Sequence, residues 1–220
     1  TIFLTHCNLG CVFCQNYDIS REGLGHTVSV AEVAQIMLEL QERGCHNVNL
    51  VTPTHYVPVL VEALGLAAQN GLRLPVVYNC GGYESLEALQ LLDGIIDIYM
   101  PDAKYADPAV SAELSGAADY PQRVRVALGE MYRQVGPLQL DERGIAVRGL
   151  LVRHLVLPEG LAGTARVMQF LARLDREMYV NVMAQYHPCY RAHEHPRIAR
   201  RITAEEYEAA VRAAREAGLH

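Results

Sequence analysis

Short runs dense in Val, Ile and Leu punctuate the chain, each followed by a longer stretch in which apolar residues return every three or four positions. The short runs at 1–5, 47–52, 75–79, 95–100, 149–157 and 178–184 read as strands. Their continuous apolar character predicts strands covered on both faces, as in parallel sheets. The longer stretches at 30–43, 57–70, 86–92, 121–135, 164–176 and 204–217 read as helices. Ser29 with Glu32 and Thr203 with Glu206 have capping-box spacing, Ser85 is an N-cap, and Gly44 and Gly71 are C-terminal stops. The segment 138–147 instead alternates around Asp141-Glu142-Arg143-Gly144, which predicts a small hairpin before the fifth strand. Six strands alternating with six helices predict an α/β fold of βα units around a parallel sheet. A complete eight-fold barrel takes about 250 residues, so six units fit 220 residues better. In either a partial barrel or an open sheet, chemistry belongs at the carboxyl ends of the strands.

No repeat, low-complexity tract or long linker divides the chain, so residues 1–220 are expected to form one domain. The chain opens at Thr1 rather than Met and runs directly into apolar Ile2-Phe3-Leu4, which suggests that an upstream segment is missing. With 19 Lys+Arg against 25 Asp+Glu the net charge is −6, and no long basic run points to nucleic acid. No apolar stretch approaches the roughly 18 residues a membrane span needs. No leader is visible, and the six cysteines fall three and three. Reduced thiols in a cytoplasm are therefore expected.

Three of those cysteines, Cys7, Cys11 and Cys14, stand in Thr5-His6-Cys7-Asn8-Leu9-Gly10-Cys11-Val12-Phe13-Cys14-Gln15-Asn16, directly after the first strand. Such short intervals in a loop let three sulfurs converge on one centre. Thiolates suit zinc or an iron–sulfur cluster. A four-iron cubane normally takes four cysteines, and three would leave one iron open. A structural Cys3His zinc site recruiting His6 or His26 is the alternative from a different class, a protein without catalysis.

The Cys-x3-Cys-x2-Cys spacing, with Phe13 before the last cysteine and a strand before the first, resembles the signature of radical S-adenosylmethionine (SAM) enzymes. The string Cys-Asn-Leu-Gly-Cys-Val-Phe-Cys-Gln-Asn-Tyr is similar to the branch that includes pyruvate formate-lyase-activating enzyme. The resemblance extends over the whole chain, because later segments match in order. It implies a partial (β/α)6 barrel, a [4Fe–4S] cluster on Cys7, Cys11 and Cys14, and SAM chelating the open iron. It also implies reductive cleavage of SAM to a 5′-deoxyadenosyl radical that takes hydrogen from a substrate. An electron donor such as flavodoxin or ferredoxin is implied as partner, with a glycyl radical enzyme or another protein as substrate. Modification of a small molecule or another peptide is the alternative within the class.

The later strand ends carry the remaining candidates. Asp102-Ala103-Lys104 after the fourth strand is similar to an Asp-x-Lys whose acid and lysine reach SAM. Arg153, inside the apolar fifth strand, demands a partner or an anion and matches an arginine that pairs with the SAM carboxylate. His154, its neighbour, is expected on the opposite face of that strand as a packing or edge residue. Tyr186-His187 is similar to the family's Tyr-His, placing His187 near the ribose or adenine. Asn79, before Cys80-Gly81-Gly82, is a weaker SAM candidate. The second strand departs from the family: Val51-Thr52-Pro53-Thr54-His55 stands where relatives carry Gly-Gly-Glu. Thr52 and Thr54 offer oxygens to the SAM ammonium, but no local carboxylate is expected there. The set Cys189, His193, Glu194 and His195 has partial metal-ligand spacing and is expected to be a polar loop.

Overall fold

In the computed structural model, which describes residues 1–219, every predicted strand and helix is present. The strands are β1 (Ile2–Phe3), β2 (Val48–Val51), β3 (Val76–Cys80), β4 (Ile98–Pro101), β5 (Gln139–Leu140), β6 (Ala146–Leu155) and β7 (Tyr179–Met183). The helices are α1 (Tyr17–Ser20), α2 (Val30–Glu42), α3 (Val57–Gln69), α4 (Leu86–Leu91), α5 (Pro108–Ser115), α6 (Tyr120–Val135), α7 (Thr164–Leu174) and α8 (Ala204–Glu216). Both capping boxes form: the Ser29 hydroxyl accepts from the Glu32 N–H while the Glu32 carboxylate accepts from the Ser29 N–H, and Thr203 and Glu206 do the same. They satisfy N–H groups that the first turn of a helix otherwise leaves without acceptors.

Neighbouring strands run β1-β2-β3-β4-β6, with β7 on β6, all parallel, and β5 turns back antiparallel on the start of β6. Gly144, with positive φ, closes that predicted hairpin through its N–H to the Asp141 carbonyl. Among the described residues no strand pair joins β1 to β7, so the sheet curves without closing. β3 is buried along its whole length, as expected for a strand between two layers. The core fills the space between sheet and helices with Met37, Leu50, Leu89, Leu92, Leu128 and Met131, all essentially inaccessible.

Two helices escaped the sequence pattern, α1 and α5. The second has ordinary signals: Asp107 accepts from the N–H groups of Ala109 and Val110, Pro108 opens the first turn, and Gly116 ends it in the left-handed conformation. The parallel strands bring six carboxyl ends to one rim, and no helix of the described residues is long and apolar enough to cross a membrane.

Candidate active site

A cavity of about 230 Å³ opens at that rim, and every parallel strand contributes to it. The loop after β1 brings Cys7, Cys11 and Cys14, β2 brings Val51 and Thr52, and β3 brings Asn79, Cys80 and Gly81. Asp102 and Lys104 enter from β4, Arg153 and Leu155 from β6, Met183 and Gln185 from β7. A larger groove of about 360 Å³ lies between α7 and α8, but its lining is mostly alanine and glycine with no convergent catalytic groups.

The charged residues form one ion group. Lys104 Nζ donates to Asp102 Oδ2 at 2.6 Å, and Arg153 Nη2 stands 2.7 Å from Asp102 Oδ1. The aligned donation of that guanidinium goes to Asn79 Oδ1 at 2.8 Å. Side chains of Asp102 and Lys104 are only 16% exposed, and that of Arg153 24%. Burial alone raises the Asp102 carboxyl, but the ammonium of Lys104 and the guanidinium of Arg153 outweigh it and hold it below its ordinary value. Burial alone lowers Lys104, and the Asp102 carboxylate reverses this and raises it. Two positive groups on one carboxylate leave the cavity floor cationic. Arg153 Nε is buried there without a hydrogen-bond partner, and Asp102 Oδ1 has only its ion-pair contact with Arg153 Nη2. A zwitterionic amino-acid group, with one carboxylate and one ammonium, has the charges to meet both.

Backbone geometry holds these residues in place. The Tyr120 hydroxyl lies 2.8 Å from the Gly81 carbonyl and 2.7 Å from the Asp102 carbonyl, and it accepts from the Lys104 N–H at 3.0 Å. One phenol thus ties the end of β3 to the end of β4. Gly82, at φ +76°, leaves room for this: a Cβ there would lie 2.3 Å from the Asp102 carbonyl oxygen. At the ends of β1 and β2, His6 (φ 64°) and Thr52 (φ 59°) also adopt the left-handed region. For a β-branched residue this is strained, at a cost of about 1–3 kcal/mol. The Thr52 N–H donates to the Asn79 carbonyl at 2.9 Å, which anchors the turn into the cavity wall.

Each candidate cysteine sulfur has a donor beside it: the Leu9 N–H at Cys7 (3.4 Å), the Ser115 hydroxyl at Cys11 (2.9 Å) and the Ser20 hydroxyl at Cys14 (3.1 Å). Burial pushes the Cys7 and Cys11 thiols up, against the lowering pull of these donors and of Lys104. Among the described residues no three His, Cys, Asp or Glu side chains stand close enough to hold a single metal ion. A tetrahedral zinc, with Zn–S near 2.3 Å, would need its sulfurs about 4 Å apart. A multi-iron cluster spreads its cysteines over separate irons, and a soft thiolate set suits it.

The other candidates fall unequally. Thr52 and Asn79 line the cavity. His187 does not; its Nδ1 lies 3.3 Å from Gln15 Nε2 on the rim. His154 is fully buried on the opposite face from Arg153, as expected, with Nδ1 at the Ala103 carbonyl (2.6 Å) and Nε2 at the Thr164 hydroxyl (2.9 Å). Carbonyl oxygens only accept, so Nδ1 carries the proton. The set after β7 disperses: Glu194 pairs with Arg191, and His195 faces Glu113.

One expectation is corrected. A carboxylate does stand beside the end of β2: Glu84, 3% exposed, accepts from the Thr54 hydroxyl at 2.8 Å and the Tyr78 hydroxyl at 2.9 Å. Burial raises its carboxyl in spite of these donors. It comes from the loop after β3, thirty positions from Thr54, so local reading of β2 missed it. Ser20, Ser115 and Tyr120 were missed as well. Single hydroxyls carry no spacing signal, and only their contacts reveal them.

The sequence profile described as the Radical SAM superfamily matches residues 1–134. An uncharacterized protein of Methanocaldococcus jannaschii is 32% identical over 229 residues, covering 100% of this chain and 62% of that protein. The chain thus spans less than two thirds of the length of that relative. Among solved structures, methylornithine synthase is similar with a TM-score of 0.63 at 17% identity, over 99% of this chain and 62% of that one. The [FeFe]-hydrogenase maturase HydG has a TM-score of 0.63 at 11% identity, over 99% and 48%. A domain of pyruvate-formate lyase-activating enzyme from Bacteroides vulgatus has a TM-score of 0.55 at 15% identity, over 79% and 95%. The open parallel sheet is the partial barrel these structures share. The chain belongs to the Radical SAM superfamily, whose members use a [4Fe–4S] cluster and S-adenosylmethionine.

Proposed function

We propose that Cys7, Cys11 and Cys14 hold the [4Fe–4S] cluster and that residues 1–220 form one radical SAM core domain abstracting hydrogen from a substrate. The observation that carries this is one cavity joining three cysteine thiols to the Asp102–Lys104–Arg153 ion group. When bound, the cluster supplies the electron that cleaves SAM to methionine and a 5′-deoxyadenosyl radical. The chain's own part is binding and orientation. Arg153, with Nε free, would take the SAM carboxylate in a charge-assisted bond. Asp102 keeps the Lys104 and Arg153 head groups fixed, and its carboxylate would face the SAM ammonium along with the oxygens of Thr52. Asn79 holds Arg153 from the side and would share the contact to SAM. His187, on the rim with Gln15, would reach the ribose or adenine. Phe13, Leu155 and Met183 line the cavity and would keep water from the reacting atoms.

The substrate reading is activation of a glycyl radical enzyme, supported by the cysteine string and the Asp-x-Lys and Arg positions. The second reading, a small molecule or another peptide, is favoured by the Thr52-Pro53-Thr54 turn that replaces Gly-Gly-Glu. Both need a one-electron donor such as flavodoxin or ferredoxin. Six free thiols are consistent with a reducing cytoplasm.

Electron paramagnetic resonance of the anaerobically reconstituted, dithionite-reduced protein tests the proposal. A cubane signal that changes shape on adding SAM is expected, with SAM cleavage abolished in Cys11→Ala. Zinc in place of a cluster signal, or SAM cleavage retained by that variant, would sink the ligand assignment.

A further inference from the structure

The end of α5 grips the cysteine loop in two ways. Its last carbonyls, Leu114 and Ser115, accept from the N–H groups of Val12 and Gly10, both at 2.9 Å. From the same turn the Ser115 side chain lays its hydroxyl on Cys11 Sγ at 2.9 Å. Behind Ser115 stands Tyr105, its phenol oxygen 2.7 Å from Ser115 Oγ. Tyr105, Ser115 and Cys11 are 1%, 2% and 8% exposed, so water does not compete for these bonds. Proton counting sets the direction. A cysteine ligand is a thiolate with nothing to donate, so Ser115 gives its single proton to the sulfur. Its oxygen then accepts, and Tyr105 donates to it.

We infer that Ser115 and Tyr105 are positioning residues that set the reduction potential of the cluster through Cys11. The inference rests on Cys11 being a cluster ligand. A hydrogen bond to a ligand sulfur draws electron density from the irons and favours the reduced, more negative state. Burial keeps that bond at full strength, and the Tyr105 phenol polarises the Ser115 hydroxyl further. The cluster thereby accepts an electron from its donor at a less negative potential than the bare loop would allow. Cys14, with Ser20 at 3.1 Å, receives a second bond of the same sense.

The test is a redox titration of the reconstituted full chain without SAM, followed by electron paramagnetic resonance, so the readout is a midpoint and not turnover. Ser115→Ala should shift the midpoint negative. At the wild-type midpoint the reduced-to-oxidised ratio should fall about tenfold, equal to about 59 mV for a one-electron couple. Ser115→Thr, which keeps the hydroxyl, should restore it, and Tyr105→Phe should shift it less in the same sense. A wild-type midpoint in Ser115→Ala, or equal shifts in the Ala and Thr variants, overturns the inference. If Ser115→Ala assembles no cluster, Tyr105→Phe decides, since it leaves the Ser115 side chain in place; an unmoved midpoint there overturns the inference. A wild-type chain that gives no cubane signal fails one step earlier, at the ligand assignment.

Discussion

Tyr120→Phe removes one oxygen from the centre of the site, and its cost can be worked from the contacts of that atom. The phenol is the acceptor for the Lys104 N–H and lies within hydrogen-bond reach of two carbonyls, those of Gly81 and Asp102. Phenylalanine fills the same volume, so no cavity term enters. A buried N–H left without an acceptor costs about 1–3 kcal/mol, and the lost bond to one carbonyl adds about 1 kcal/mol. The expected loss is about 3 kcal/mol. At roughly 2–4 °C per kcal/mol for a chain of this size, Tm should fall by about 6–12 °C. Tyr83→Phe is the matched control: the same atom is removed from a half-buried ring whose hydroxyl reaches only the partly exposed Asp119, and its loss should stay below about 1 kcal/mol. Because Tyr120 ties Gly81 to Asp102, SAM binding should weaken several-fold in Tyr120→Phe and remain unchanged in Tyr83→Phe. Calorimetry of both variants beside wild type, reconstituted identically, measures the first effect and equilibrium dialysis with labelled SAM the second. Equal Tm losses in the two variants would refute the claim that one phenol latches β3 to β4.

Acidification should destabilise the protein in two windows. His154 is buried neutral with its pKa pushed down by burial to about 4, against 6.5 for the free group. The unfolded chain binds this proton first, so stability is fully present above pH 6.5 and falls by about 3 kcal/mol as pH drops to 4. Denaturant titrations from pH 7.5 to 4.5 should show this slope in wild type and lose it in His154→Asn, which keeps a donor to the Ala103 carbonyl; a variant with the wild-type slope rules the histidine out. Glu84 acts with opposite sign, since its raised pKa makes the folded state resist ionisation as pH rises, so only the difference between variants isolates His154. Asp102, held low by Lys104 and Arg153, contributes stability above its unfolded pKa near 3.8 that is lost as pH falls through its lower folded value. Asp102→Asn leaves two adjacent cations without their anion and should cost about 2–3 kcal/mol near neutral pH, discounted from a fully buried pair for its partial exposure. A Tm within 2–3 °C of wild type, on the scale of about 2–4 °C per kcal/mol, would count against a linked ion group.

The parts legible in sequence were those with a period or a fixed spacing. Strand runs and helical periods located every long element, and the two capping boxes form where Ser29–Glu32 and Thr203–Glu206 predicted them. The same rule that sends chemistry to strand ends brought Cys7, Asp102, Arg153 and Asn79 to one cavity, although they are scattered over most of the chain. What was not legible depends on distances that only folding creates. Glu84 reaches Thr54 from the loop after β3, and Ser115 reaches Cys11 across 104 positions. The twelve tyrosines follow no period along the chain, yet Tyr78, Tyr99, Tyr105, Tyr120 and Tyr186 are among the most buried side chains, each with its hydroxyl partnered.

Those tyrosines explain how an unclosed sheet can hold a precise rim. A closed barrel fixes its strand ends by pairing all around, whereas here, among the described residues, no pairing joins β1 to β7. The missing restraint is supplied by side chains and loops. Tyr120 joins β3 to β4, and Phe13 packs edge-on against both Tyr105 and Tyr186. Across the open side, the Arg191 N–H donates to the Val12 carbonyl at 2.9 Å, and Tyr17 stacks on Tyr190 at 5.0 Å between ring centres. The loop bearing the three cysteines is therefore gripped on one flank by α5 and on the other by the segment after β7. Aromatic rings suit this work, since each gives a large contact at little conformational entropy and keeps a polar tip for a backbone carbonyl. The loop that faces the gap thus stays fixed by contacts that do not need a closed barrel.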